Sequence, residues 1–229
     1  MQTDSTCTLI WLALLGCAVV ICLCTVTPLD LRLSACFYDA TRPSGWFLGD
    51  VTPWKWLYRY GEYPAIGLAV AALGVFLGSY CRRAWVAYRR LCLVVILALA
   101  LGPGVLVNGV LKPFWGRPRP RHIMQFGGSK AYLPWWRPGA PGTGKSFPSG
   151  HAAMGYSLIV GVLFLPRQRW RLWGFAAGLT YGTLLGLTRI VQGGHFVSDA
   201  AWSGALMCGL VLGLHTTLQK RLEEPCGPS

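Results

Sequence analysis

Uninterrupted apolar stretches separated by short polar links run along almost the whole chain, and nothing constrains its fold more. They lie at about 9–27, 64–80, 91–111, 151–165, 172–188 and 196–218. The hydrocarbon core of a bilayer takes about 20 apolar helical residues, which suits most of these runs. The fourth, at about 15 residues, needs local thinning or the help of neighbouring helices. Lipid offers the backbone no hydrogen-bond partners, so a spanning segment has to be helical or part of a closed barrel. The expected fold is therefore all-α: a polytopic membrane protein with six transmembrane helices. Charged residues make up 13% of the 229 and the mean hydropathy is +0.44, against about 25% charge in soluble domains. No stretch remains for a separate soluble module, so residues 1–229 read as a single integral membrane domain. The first run lacks a basic leader and is long for a signal peptide, so it reads as a retained helix.

Basic residues orient the spans, because short cytoplasmic loops are enriched in Lys and Arg. Arg82, Arg83, Arg89 and Arg90 join the second run to the third, and Arg167, Arg169 and Arg171 join the fourth to the fifth. Both links are expected in the cytoplasm, as are Lys220 and Arg221 with the C-terminus. Six crossings then place the N-terminus inside as well. In a bacterial inner membrane, the loops after the third and fifth runs would face the periplasm. The first of these, 112–150, carries seven basic residues on the side where topology does not ask for them, so they read as ligands for an anion. Between the first two runs, Trp46, Phe47, Trp54, Trp56, Tyr58 and Tyr60 suit the headgroup region. That segment is expected to lie in the interface, as an anchoring belt or as a wall for lipid entry.

The net charge of +13 does not point to nucleic acid, because the cations fall in clusters between apolar segments and base-reading motifs are missing. Nine cysteines form no paired or ligand-like spacing, and Cys17, Cys22, Cys24, Cys92 and Cys208 sit inside apolar runs. They read as small buried hydrophobes.

Three polar clusters interrupt the apolar background. Lys112, Arg117, Arg119 and Pro120 close the third run; Ser146, Pro148, Ser149, Gly150 and His151 open the fourth; Thr188, Arg189, His195 and Asp199 join the fifth to the sixth. Alternating spans bring all three to one membrane face. Lys112, Arg119 and Arg189 supply cations that match phosphate oxygens. Ser149 and Gly150, at a helix start, add a hydroxyl and free amides. His195 and Asp199 are four residues apart, so Asp199 is expected to take the proton on one imidazole nitrogen and leave the other free to attack phosphorus. His151 would act as general acid and then base. Arg117 and Arg121 read as headgroup anchors and His215 as structural, while His122 has no motif position. Two histidines could suggest zinc, but the adjoining cations oppose a dication and no third ligand is suitably spaced. No metal or other cofactor is expected.

These clusters resemble the signature of the type 2 phosphatidic acid phosphatase superfamily: Lys, six residues, Arg-Pro; then Pro-Ser-Gly-His; then Ser-Arg, five residues, His, three residues, Asp. Both internal spacings are kept, and Thr188 stands where Ser is usual. The match covers about 91–218, the expected catalytic core. It implies a six-helix core and metal-independent hydrolysis through a phosphohistidine, with His195 as nucleophile, His151 as acid and base, and Asp199 as orienting carboxylate. Lys112, Arg119, Ser149, Gly150 and Arg189 would hold the phosphate. The stretches Gln192–Asp199 and Gln125–Gly128 are similar to those of bacterial lipid A phosphatases. The resemblance implies a phosphorylated membrane lipid as substrate, with no protein partner indicated. Phosphatidylglycerophosphate, phosphatidic acid and undecaprenyl diphosphate are alternatives to lipid A. Transfer to a second lipid is an alternative to hydrolysis, and lipid binding without catalysis is the non-enzymatic reading.

Overall fold

The computed structural model describes residues 5–43, 45–165 and 167–223. Nine α-helices appear among them: α1 Ser5–Val26, α2 Leu29–Ala35, α3 Trp54–Tyr60, α4 Tyr63–Gly78, α5 Arg89–Leu99, α6 Lys112–Trp115, α7 Gly150–Ser157, α8 Gln168–Val191 and α9 Val197–Glu223. No strand forms among the described residues, and the extended pairing there is an isolated parallel bridge between Ile123 and Lys130. Lys220 and Arg221 lie in the last turns of α9, and their side chains are outside the described residues.

Four helical stretches are long and apolar enough to cross a membrane: Thr6–Val26, Trp54–Gly78, Arg83–His122 and Val197–Thr217. Two of the six sequence candidates fall short, for different reasons. The fourth is apolar but short, Gly150–Leu163, with α7 tightening into a 3-10 helix over Leu158–Phe164. The fifth, α8, is long enough, but Gly, Thr, Tyr and Arg dilute its hydropathy. Packing explains that composition. Gly174, Gly178, Gly182 and Gly186 recur every four residues and so share one helix face. A Cβ at Gly182 would collide with the Tyr156 ring, one at Gly178 would meet Ile159, and one at Gly186 would meet Ala200. This stripe lets α7 and α9 approach α8 closely, and close approach is what holds helices together where lipid removes the hydrophobic driving force. The outer surface is the inverse of a soluble protein's: Trp11, Leu15 and Val26 of α1 and Ile66, Val70 and Leu77 of α4 are exposed.

The third run is one long helical rod with an irregular middle. After α5, residues Ala100–Leu111 adopt a π-helix containing Pro103. Proline supplies no N–H and its ring crowds the preceding turn, which favours a wider coil. Asn108 Nδ2 donates to the Pro103 carbonyl at 2.7 Å, and Asn108 Oδ1 accepts from Lys112 Nζ at 3.1 Å.

Helix ends sort into two groups. At one end, Arg89 donates to the Ser79 hydroxyl at 2.9 Å and carbonyl at 3.0 Å, joining α4 to α5, and Arg171 Nε donates to the Leu165 carbonyl at 2.7 Å, joining the fourth run to α8. At the other end meet the C-terminus of α1, the N-termini of α4, α7 and α9, the C-terminus of α8, and α6. There Thr25 accepts from Trp135 Nε1 at 3.0 Å, and His151 reaches Glu62 at 3.1 Å. Cys24, Cys92 and Cys208 are buried as expected, whereas Cys22 is on the exposed face of α1.

Candidate active site

The loop between α6 and α7 is pinned back on itself. Gly116 turns through a positive φ of 67°, Ser146 N donates to the Arg117 carbonyl at 3.0 Å, and the Trp115 and Phe147 rings stack at 4.4 Å. This brings the first two polar clusters together. Lys112 Nζ lies so close to Gly150 that a Cβ there would meet it at 3.0 Å and Asn108 Oδ1 at 2.9 Å. A side chain at 150 would push these two side-chain ends back, so glycine is what leaves the lysine its present approach. Ser149 caps α7, its hydroxyl accepting from Ala152 N at 3.5 Å. The third cluster joins through the backbone: Ser149 N donates to the Asp199 carbonyl at 3.3 Å and Ser203 Oγ to the Ser149 carbonyl at 2.9 Å.

His195 is buried, and its Nδ1 lies 2.5 Å from the Ser146 carbonyl oxygen but 3.7 Å from Asp199 Oδ2. The expected direct pairing with Asp199 is thus replaced at hydrogen-bond distance by a backbone carbonyl. A carbonyl can only accept, so Nδ1 carries the proton and Nε2 keeps its lone pair. Burial pushes the imidazole pKa down to about 3; Asp199 opposes this, and Arg189 and Lys112 reinforce it. The ring is neutral near pH 7, as a nitrogen nucleophile requires.

Asp199 is instead the centre of a closed network. Its carboxylate accepts from Arg117 at 2.5 Å, Ser146 Oγ at 2.6 Å and Phe196 N at 2.8 Å. Arg117 also donates to Asp30 at 2.8 Å and to Ser198 Oγ at 2.8 Å, and its Nε to the Leu133 carbonyl at 2.9 Å. Asp30, on α2, further accepts from Ser198 N at 2.9 Å and Ser198 Oγ at 2.6 Å. Arg117 is fully buried, which corrects its reading as a headgroup anchor: two carboxylates within 2.8 Å make it an internal clamp. Asp30 escaped sequence reasoning altogether, although an acidic residue at the edge of an apolar run is a signal for a buried partner.

The phosphate-binding candidates behave differently. Arg119 Nε and Arg189 Nε are buried and have no hydrogen-bond partner among the described residues. Arg189 bonds through another nitrogen to Gln192 Oε1 at 2.5 Å, and its guanidinium lies 4.4 Å from the Tyr58 ring centroid. Buried donors left open in this way are what an anion would satisfy.

His151 is not free. Its Nε2 meets the Tyr58 carbonyl and its Nδ1 meets Glu62, both at 3.1 Å, and its ring stacks on Tyr58 at 5.1 Å. Both partners can only accept, so a protonated ring donates to each. Glu62 was missed because it belongs to no motif. Tyr58 was read only as part of an aromatic segment, an anchoring belt or a wall for lipid entry, and its contact with His151 makes it one wall of the site. Of the remaining histidines and cations, Arg121 is exposed beside this wall and His122 is exposed on the loop.

The sequence model of the PAP2 superfamily matches residues 87–223. The chain is 31% identical over 179 residues to the lipid A 4'-phosphatase of Francisella tularensis subsp. novicida, an alignment spanning 77% of this chain and 80% of that protein. Lipid A 4'-phosphatases of Rhizobium etli and Rhizobium leguminosarum are each 35% identical, over 114 and 118 residues, which is 48% and 50% of this chain and 44% and 50% of those proteins. No solved structure matches the chain.

Proposed function

The chain belongs to the PAP2 superfamily, and from that premise we propose that it removes a phosphate from a membrane lipid through a phosphohistidine on His195, with lipid A as the leading substrate. One observation carries this reading. The Nδ1 proton of His195 is committed to the Ser146 carbonyl, so a neutral Nε2 is available beside buried cations whose donors are open.

In the proposed reaction, Lys112, Arg119, Arg189, Ser149 and the Gly150 amide hold the phosphoryl oxygens. Nε2 of His195 forms a bond to phosphorus as the bond to the lipid oxygen breaks. His151, turning its Nε2–H from the Tyr58 carbonyl while Nδ1 stays on Glu62, gives that proton to the leaving oxygen. Water then attacks phosphorus while His151 takes a proton from it, and inorganic phosphate leaves as the N–P bond breaks. The Asp199 carboxylate, 3.7 Å from Nδ1, stabilises the positive charge that His195 acquires on bonding to phosphorus. The surrounding cations stabilise the charge on phosphorus, which is the type of term that dominates many enzymes' rate acceleration. Three cations around the imidazoles also disfavour a dication, so the activity is expected to be independent of metal.

The topology proposed with this activity has six crossings, both termini in the cytoplasm and the active site at the periplasmic face of a bacterial inner membrane, with residues 1–229 as one domain. Basic links at 82–90 and 167–171 lie at the end of the bundle away from the catalytic clusters, which supports that orientation. Lipid A comes from the relatives' activity.

The test is phosphate release by purified protein from lipid A in EDTA, with brief incubation on substrate labelled at the scissile phosphate. An acid-labile, alkali-stable label on the wild type that His195→Ala lacks is the expected result. Release that survives in His195→Ala would remove the proposed nucleophile, and release lost on chelation would remove metal independence.

A further inference from the structure

Next to the catalytic cluster lies a cavity of about 920 Å³, walled by the segment preceding α4 and by the loop at 121–127. Arg189 and Tyr58 line it and also belong to the catalytic site, so the two spaces adjoin; His195 and His151 are not in its lining. A cavity near the upper end of the usual range for ligand sites, about 300–1,000 Å³, is far larger than one phosphoryl group requires.

The lining is cationic. Arg42, Lys55, Arg59 and Arg121 face the cavity besides Arg189, against one lining carboxylate, Asp50. Arg42 is exposed, its Nε 3.6 Å from Asp39 Oδ2, and Lys55, Arg59 and Arg121 are exposed too. The Arg121 backbone N–H donates to the Gly193 carbonyl at 3.1 Å, which fixes this cation relative to the loop that carries His195. Membrane orientation does not account for these charges, because they lie at the opposite end of the bundle from the basic links at 82–90 and 167–171. An aromatic cluster backs the cavity: the Tyr38, Trp46 and Phe126 rings pack with centroids 5.3–5.6 Å apart, Trp46 and Phe126 buried and Tyr38 half-buried. The accessible part of the Tyr38 ring can meet the C–H surface of a sugar, while Asp50 and Gln192, which also line the cavity, can bond its hydroxyls.

We infer that this cavity is a subsite for a sugar headgroup bearing a second anionic group, held by Arg42, Lys55, Arg59 and Arg121 while the phosphate to be removed lies at His195. The inference rests on the phosphatase reading above and narrows its substrate class. A lipid with a single small phosphate headgroup leaves the subsite empty, whereas a phosphorylated disaccharide reaches from one cationic set to the other.

The experiment uses the full-length protein in micelles of a neutral detergent, so that the only lipid anions are the substrate's own. Three lipids are compared by phosphate release: an acylated glucosamine disaccharide phosphorylated at both ends, the same lipid lacking the phosphate that is not cleaved, and phosphatidic acid. The doubly phosphorylated lipid is expected to exceed the singly phosphorylated one by about tenfold or more in kcat/KM, mainly through KM. In the Lys55→Ala/Arg59→Ala double variant this ratio falls towards one, and in Arg59→Lys, which keeps the charge, most of it remains. Equal efficiency on the two glycolipids in the wild type, or an unchanged ratio in the double variant, overturns the subsite and leaves the phosphatase reading standing. Release from none of the three lipids brings down that reading and the subsite with it.

Discussion

Arg117 and Arg119 are two residues apart on one loop, yet their surroundings are opposite. Arg117 is fully buried between Asp30 and Asp199, and its guanidinium also bonds to Ser198 and the Leu133 carbonyl. Arg119 faces the charges of Lys112 and Arg189, and it keeps a buried donor without a partner among the described residues, as Arg189 does. A buried charge is costly unless it is paired. The first site meets that cost within the protein and so contributes rigidity. The second is left electrostatically incomplete, which a structural role does not explain and an anionic substrate does.

The comparison breaks if either arginine behaves like the other. Arg117→Leu strands two buried carboxylates, so thermal unfolding in detergent should show a loss of about 3–5 kcal/mol, with activity falling alongside; a variant as stable as the wild type would make the network dispensable. Arg189→Ala should instead lower kcat/KM by about 10²–10³, near 2.7–4 kcal/mol of transition-state stabilisation, while unfolding stays unchanged or moves up because a cation among cations is gone. Instability comparable to that of Arg117→Leu would erase the distinction.

Two smaller effects sharpen it. Glu62→Gln removes the carboxylate facing His151, so the imidazolium loses support and the alkaline limb of kcat/KM should move to lower pH, with about a tenfold loss at the alkaline end. Arg189 and Lys112 face His151 as opposing charges, so the limb should move the other way in Lys112→Met; an unmoved limb in both variants would assign it to another group. The smallest effect is an absence. With His195 held down to about 3 by burial, its attacking nitrogen stays unprotonated at ordinary acidity, so kcat/KM should show no acid limb from His195 between about pH 5 and 7. An acid limb in that window whose midpoint matches the imidazole titration of His195 followed by NMR in the wild type would contradict this.

The motif residues were legible because their spacing is local and their chemistry narrow: a lysine, two arginines and two histidines at fixed intervals leave few alternatives. What was not legible depends on distance or on the backbone. Ser146 orients His195 through its carbonyl, which no side-chain pattern announces. Asp30 meets Ser198 across 168 residues, and Tyr58 meets His151 across 93, from segments that read as interface. Asp199 was assigned to the imidazole from its four-residue spacing, whereas Arg117 and Ser146 compete for the same oxygens and draw the carboxylate away. Of the six expected spans, four stand out as long and apolar among the described residues, and α8 is less apolar for a physical reason: on the face it packs against its neighbours it exchanges apolar bulk for glycine. Its four-residue glycine repeat stands openly in the sequence as a packing signal.

The wide coil at Ala100–Leu111 has a consequence for how Lys112 can evolve. Each residue added to or removed from a regular helix turns everything beyond it by about 100° and slides it about 1.5 Å. Because the lysine sits downstream of an irregular stretch, its bearing on Gly150 depends on how many residues that stretch absorbs. Point substitutions along this rod would leave the ammonium on target, whereas a one-residue deletion that let the coil relax to ordinary pitch would swing it towards lipid, disarming the enzyme with every named catalytic residue still in place.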